Sequence, residues 1–236
     1  MNLDVLYEDN HCLVINKPAG MPSQADVSGS ASLVDAAAKY LKERYAKPGN
    51  VYVGLVHRLD RPTSGVVLLA RTSKAASRLS EQFRAGRVEK VYSAIVEGGP
   101  VEDEGVWIDR LEKDRRTNIS RRLDEGEDSS AAKEATVAFR VLDRWPDSTG
   151  LELRPLTGRS HQLRVQLASR GMPIVGDVRY GARGRLRALD GGGRIALHAR
   201  RIRFTHPTRE EGISVEAPVP ADWPGPWRSW PECPSA

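Results

Sequence analysis

The sequence predicts an α+β protein with a largely antiparallel sheet and flanking helices. Segments of strand character outnumber helical ones, and neighbouring strands are often joined by short turns, not by the helical crossovers of a parallel sheet. No internal repeat and no linker divides the 236 residues, which points to one large domain over 1–223 followed by a Pro/Trp-rich tail, 224–236.

Residues 3–7, LDVLY, and 12–16, CLVIN, read as a hairpin through EDNH, and KPAGMPS as a loop. Ser32 with Asp35 gives a capping-box-like start to a helix. Its Leu33, Ala37, Tyr40, Leu41 and Tyr45 recur at helical spacing, and KPGN ends it. VYVGLV (51–56) and GVVLLA (65–70) are strands on either side of an HRLD loop. Ser73 caps a second helix with apolar Ala75, Ala76, Leu79 and Phe83, and Gly86 stops it. KVYSAIVEG (90–98) alternates as a strand, with Tyr92, Ala94 and Val96 on one face.

Residues 110–130 change character. RLEKDRRTNISRR is basic and LDEGEDSS acidic, with little apolar content. This reads as a mobile excursion or a hairpin, either a solvated loop or an RNA-contacting arm. Strands return at 135–145 and 150–156. TGRSHQLRVQLASRG (157–171) opens a helix capped by Thr157 or Ser160, with Leu163 and Leu167 inward and Gly171 at its end. The free N–H groups of TGRS could receive a phosphate, or belong to an ordinary cap. RIALHARRIRFTHP (194–207) gives one or two more strands, and the tail is expected to fray after Trp223.

Composition narrows the class. Lys and Arg total 36 against 31 Asp and Glu, a net charge of +5, and 28 of the 36 are Arg. Arginine grips phosphate bidentately and stacks on bases, so the bias suits a nucleic-acid partner; a GC-rich coding sequence would give the same bias. No apolar run reaches membrane-spanning length, and MNLDVLYEDN lacks the pattern of a signal peptide, so a cytoplasmic protein off the membrane is expected. Cys12 and Cys233 form no disulfide framework, and the five histidines show no metal spacing. His198, in IALHA, reads as a core histidine or one supporting a neighbour. Walker and dinucleotide loops are absent.

The candidate chemistry sits in HRLDRPTSG, where Asp60 lies between Arg58 and Arg61. Either Asp60 forms a surface ion pair that tidies a turn, or it is an ionised nucleophile beside an anionic substrate. The stretch alone favours the first.

Three separated segments change that balance. HRLDRPTSGVVLLART (57–72), KVYSAIVEG (90–98) and PLTGRSHQLRVQLASRGMPIVGDVRYG (155–181) resemble the signatures of RluA-type pseudouridine synthases. NKPAG (16–20) and LHARRIRFTHP (197–207) resemble the flanking segments. The resemblance runs from about Val5 to Trp223. It implies a catalytic domain with a bent mixed sheet and a central cleft, acting on ribosomal or transfer RNA without metal or cofactor and with no obligate protein partner, as a monomer. It implies that Asp60 is the catalytic aspartate, that Tyr92 stacks beneath the target base, that Arg164 pairs with Asp60, and that Arg58 enters the helix as the uridine leaves. Arg58 and Arg61 are then free for phosphates. The Tyr92 hydroxyl could also help remove the C5 proton.

The sequence departs from the family after KP-x-G, where MPSQAD replaces the frequent histidine; no function is assigned to that loop. No separate N-terminal RNA-binding domain is expected. Two rivals remain: a non-catalytic RNA-binding module, and a hydrolase that releases uracil, which would need a placed water and a second carboxylate.

Overall fold

The computed structural model describes residues 3–26, 29–114, 116–187, 193–221 and 223. The chain opens as the expected hairpin, β1 (Val5–Glu8) and β2 (Cys12–Lys17). Helix α1 (Leu33–Arg44) starts at Ser32, whose hydroxyl accepts from the Asp35 N–H while the Asp35 carboxylate accepts from the Ser32 N–H. It buries Leu33, Ala37 and Leu41. Tyr45, expected in that stripe, is the exposed C-cap and donates its hydroxyl to Glu8. The strand expected over 51–56 is reduced to β3 (Gly54–Leu55), followed in the sheet by β4 (Ser64–Ala70). Helix α2 (Ser73–Arg84) is capped by Thr72, not Ser73: the Thr72 hydroxyl accepts from the Ala75 N–H at 3.1 Å.

The second half supplies β5 (Glu89–Glu97), β6 (Glu104–Asp114), β7 (Ile119–Arg122), β8 (Lys133–Trp145) and β9 (Ser148–Pro155). Helix α3 (Gln162–Ala168), a 3₁₀ turn (Val178–Tyr180), β10 (Leu186–Arg187), β11 (Gly193–Arg194), β12 (Leu197–Thr205) and β13 (Gly212–Glu216) follow. One sheet runs β1-β2-β4-β12-β5-β9-β8-β6-β7, with β13 added on β12 and β3 on β4. Its pairs are antiparallel except β4 with β12, so the sheet is mixed and mainly antiparallel, as the α+β reading expects. Among the described residues no helix is long and apolar enough to cross a membrane.

Strand β4 explains the unbroken run GVVLLA. Val66, Leu68 and Ala70 pack with Ala75 and Leu79 of α2, while Val67 and Leu69 pack with Leu33, Ala37 and Leu41 of α1. A strand covered on both faces has no reason to alternate. A third core lies under β5, β8 and β9, where Leu163 and Leu167 of α3 and the buried Trp223 pack. The tail expected to fray beyond Trp223 lies outside the described residues.

The parallel pair is the seam between the two halves. His198 lies opposite Ser64 and Ala199 opposite Gly65. The Ser64 hydroxyl meets His198 Nδ1 at 2.9 Å, so the buried histidine is structural, and burial drops its pKa to about 3. Gly65 has φ +113, and a Cβ there would sit 2.3 Å from the Ala199 carbonyl oxygen. The Ser and Gly of TSG are thus set by the approach of β12.

Within 110–130, the end of β6 pairs antiparallel with β7, 111–114 against 119–122, and the acidic segment follows. Arg121 bonds Glu127 of the acidic half and Glu112 of its own, and Arg110 bonds Asp128. The strand pair is held by its ladder and by buried Leu111, packed with Ala135 and Val165, and buried Leu123; exposed ion pairs of this kind add little.

Gly65→Ala tests the seam. It should destabilise the fold by roughly 2–4 kcal/mol, through a positive φ and a backbone clash together. Gly86→Ala, at φ +67 with nothing within 4 Å, should cost only about 1 kcal/mol. Denaturant midpoints of the two variants check this; equal losses would mean that the β12 contact does not constrain position 65.

Candidate active site

Asp60 lies on the loop between β3 and β4, directly before the seam. The loop is braced from one side by residues 17–23. The Gly20 N–H donates to the Arg61 carbonyl at 2.8 Å. The Ser23 hydroxyl donates to the Leu59 carbonyl at 2.8 Å and accepts from the Leu59 N–H at 3.2 Å. Lys17, fully buried at the end of β2, donates to the carbonyls of Pro18, Met21 and Arg61 at 2.9, 2.8 and 3.3 Å. The loop given no role from sequence therefore holds the backbone of Asp60's neighbours.

Arg164, on α3, donates Nη1 to Asp60 Oδ2 at 2.9 Å. Its Nε and Nη2 form a fork on both oxygens of Asp177, at 2.7 and 2.8 Å. Asp177, unmarked in the sequence reading, is 2% exposed at its side chain, and Asp60 is 25% exposed. Asp177 is thus committed to orienting the guanidinium, while Asp60 keeps an open side. Pairing is obligatory for a buried arginine; removing one partner of such a pair costs about 3–5 kcal/mol.

Two cavities, about 590 and 440 Å³, meet at Arg58, Leu59, Asp60, His161 and Arg164, and volumes of this size suit a small organic group. Tyr92, on β5, lines the smaller one, with its ring against two of the cores. Burial and the nearby Asp60 charge push its pKa up, so the hydroxyl stays protonated at neutral pH. Arg58 is exposed, lines both cavities, and has no ion pair among the described residues. Arg61, expected to be free, is tied to the Gly20 carbonyl at 2.9 Å and to Asp26 at 3.5 Å.

The TGRS segment does not supply the expected cap. Neither Thr157 nor Ser160 caps α3; the cap position is His161, in the left-handed region at φ 53, with no side-chain bond to the helix. The Arg159 N–H is taken by Gln162 Oε1 at 3.0 Å, so that donor is not open to a phosphate. His161 Nε2 faces Asp60 Oδ2 at 3.7 Å. A non-glycine residue at positive φ near a reactive group is where strain tends to be retained. His57 is structural: Nε2 accepts from the Leu68 N–H at 2.9 Å and the ring stacks on Phe83 at 4.6 Å.

Spacing along the chain could not bring Asp9, Cys12 and His206 together, yet they are neighbours in space. Asp9 already receives the N–H groups of His11 and Cys12, the Tyr7 hydroxyl, His206 and the Arg209 guanidinium. Burial pushes the Cys12 thiol up to about 12, far from the thiolate a metal needs. The cluster is a hydrogen-bonded strand end.

The family model described as RNA pseudouridylate synthase matches residues 11–169. Ribosomal large subunit pseudouridine synthase C of Vibrio vulnificus is 37% identical over 217 residues, covering 91% of this chain and 65% of its own. Synthase D of Xylella fastidiosa is 39% identical, covering 93% and 67%. The chain thus spans about two thirds of these relatives' length. The solved structure of human RNA pseudouridylate synthase domain containing 4 superposes with a TM-score of 0.75 at 27% identity, over 92% of this chain and 88% of that one.

Lys17 gives a pH prediction. Burial lowers its pKa from 10.5 to about 7, with Asp60 opposing that shift. Between about pH 7 and 10.5 the unfolded chain holds a proton on Lys17 that the folded chain lacks, so the folded state gains stability as pH rises, by up to about 1.4 kcal/mol per unit. Below about pH 7 both states are protonated and the slope vanishes. The stability of wild type minus that of Lys17→Met should therefore rise from pH 7 to 10. A margin flat across that window, measured by urea unfolding, would mean that the three carbonyls keep Lys17 an ammonium throughout.

Proposed function

The chain belongs to the RNA pseudouridylate synthase family, and on that premise we propose that it isomerises uridine to pseudouridine in structured RNA, with Asp60 as the catalytic carboxylate. The observation that carries this is the accessible Asp60 held by Arg164, whose remaining donors are fixed on Asp177. The names of the synthase C and D relatives favour RNA of the large ribosomal subunit as substrate, with transfer RNA the alternative. A substrate of that kind goes with a cytoplasmic protein. Residues 1–223 act as one catalytic domain in this reading.

The reaction breaks the N1–C1′ bond of uridine, turns the base and joins C5 to C1′; the C5 proton leaves and N1 gains one, so no redox agent is consumed. Asp60 must be ionised to begin it. Arg164 opposes the neutral form that a partly closed cleft would otherwise favour. The target base has to leave its stack to reach Asp60, at a cost of a few kcal/mol. Arg58, exposed at the junction of the two cavities, fills the vacated space or grips the flanking phosphates. Tyr92 supports the extruded base. Because its hydroxyl stays protonated, it can accept the C5 proton only by passing its own onward, and Asp60, restored to carboxylate, is the acceptor whose charge it already feels.

The hydrolase reading fits less well. A second carboxylate would have to activate water; of the two that line the larger cavity with Asp60, Asp177 is buried with both oxygens on Arg164 and Asp26 is paired with Arg61. Incubating the protein with an unmodified large-subunit RNA transcript separates the two. Pseudouridine without free uracil is expected, and free uracil would overturn the proposal.

Two Tyr92 variants divide ring from hydroxyl. Tyr92→Phe should bind RNA like wild type and turn over at least about a hundredfold slower, the usual size of a proton-transfer contribution. Tyr92→Ala should also lose stacking worth roughly 1–3 kcal/mol. Single-turnover rates at saturating enzyme decide: a Phe variant as fast as wild type leaves the hydroxyl without a chemical role.

A further inference from the structure

The β6–β7 hairpin is fastened to the catalytic loop region at adjacent residues of the 3₁₀ turn. Arg179 Nη2 donates to the Thr117 carbonyl at 2.6 Å, and the Ser120 N–H donates to Tyr180 Oη at 3.0 Å. Asn118, in the hairpin turn, lines the larger cavity together with Asp60 and Arg179. The hairpin is therefore a wall of the cleft, and the Ser120 amide on it rests on the Tyr180 phenol.

That phenol reaches further. Tyr180 Oη lies 2.7 Å from His161 Nδ1, and the Arg164 guanidinium sits 4.8 Å from the Tyr180 ring centroid. Oη accepts from Ser120, and among the described residues Nδ1 is the acceptor within reach of its proton. Nδ1 and the phenol oxygen thus share one hydrogen bond, and Nε2, on the other side of the ring, faces Asp60 Oδ2 at 3.7 Å. Burial lowers the His161 pKa, with the Asp60 charge opposing and Arg164, Arg179 and Lys113 assisting, so the ring is neutral at pH 7. Both side chains that flank the Asp60 carboxylate, Arg164 and His161, thus touch Tyr180.

We propose that Tyr180 is a positioning residue through which the docked β6–β7 hairpin sets the geometry of Asp60, by holding His161 and Arg164 at once. The inference rests on the catalytic reading of Asp60. An RNA strand that shifts the cationic hairpin on the body would move Tyr180, and with it the two neighbours of Asp60.

The test uses Tyr180→Phe, which keeps the ring beside Arg164 and removes the oxygen shared by Ser120 and His161. RNA affinity should stay within about threefold of wild type, since phosphate contacts dominate it. The single-turnover rate at saturating enzyme should fall at least about tenfold. Hydrogen exchange at the Ser120 amide should quicken by a similar factor in the free protein, with no RNA present. His161→Ala and the double variant complete a cycle: the double should be no slower than the slower single, because both act on one path. His161→Ala also stands alone if Tyr180→Phe does not fold, and should slow turnover without altering Ser120 exchange. Faster Ser120 exchange with a wild-type rate would overturn the proposal, as would unchanged exchange, additive effects in the cycle, or a His161→Ala rate equal to wild type. A wild-type protein that forms no pseudouridine in the same assay would instead remove the catalytic reading, and this inference with it; the exchange measurement tells the two failures apart.

Discussion

One guanidinium organises the centre of this protein. Arg164 spends three donors on two carboxylates of opposite character, a buried Asp177 that fixes its plane and a partly open Asp60 that receives what is left. The same bond ties the loop before β4 to helix α3, elements that meet nowhere along the chain. A buried arginine between two aspartates is stable only while both are in place, so the placement of Asp60 and the integrity of the fold are linked. A lysine would not serve: it lacks the planar fork that grips Asp177 while reaching Asp60.

The backbone around that bond is equally specified. Lys17, Gly20 and Ser23 hold the carbonyls and N–H groups of residues 59–61, and Gly65 lets β12 approach where a side chain would collide. Asp60 is thus presented from a loop whose position is set on both sides, by a turn before it and a strand seam after it. Preorganisation of this kind keeps the Asp60 carboxylate in place without closing it off from the cavities.

Much of this was legible in the sequence and some was not, for identifiable reasons. The hairpin at the start, the box at Ser32 and Asp35, and the unbroken run of β4 follow from local capping and burial rules, and the structure has them. Sequence places the cap of α2 at Ser73, the stronger capping residue of the pair, whereas the chain turns into the helix one residue earlier, at Thr72. The cap of α3 was misread because His161 takes a left-handed conformation that no local pattern announces. Arg164 came from a motif. Asp177 and Tyr180 sat in the matching GDVRYG string, but nothing in spacing says that they fold back onto Arg164. Lys17 was hidden for the opposite reason: a lysine after an apolar strand reads as an exposed end, and only the three carbonyls around it reveal a buried one.

The central claim is that the carboxylate charge of Asp60 performs the chemistry, while RNA is gripped elsewhere. Asp60→Asn keeps the size and removes the charge. Pseudouridine formation on a large-subunit RNA transcript, measured alongside RNA affinity, tests it directly. The account predicts no detectable product with affinity changed by less than about tenfold, since phosphate contacts dominate binding. Turnover within about tenfold of wild type would contradict it.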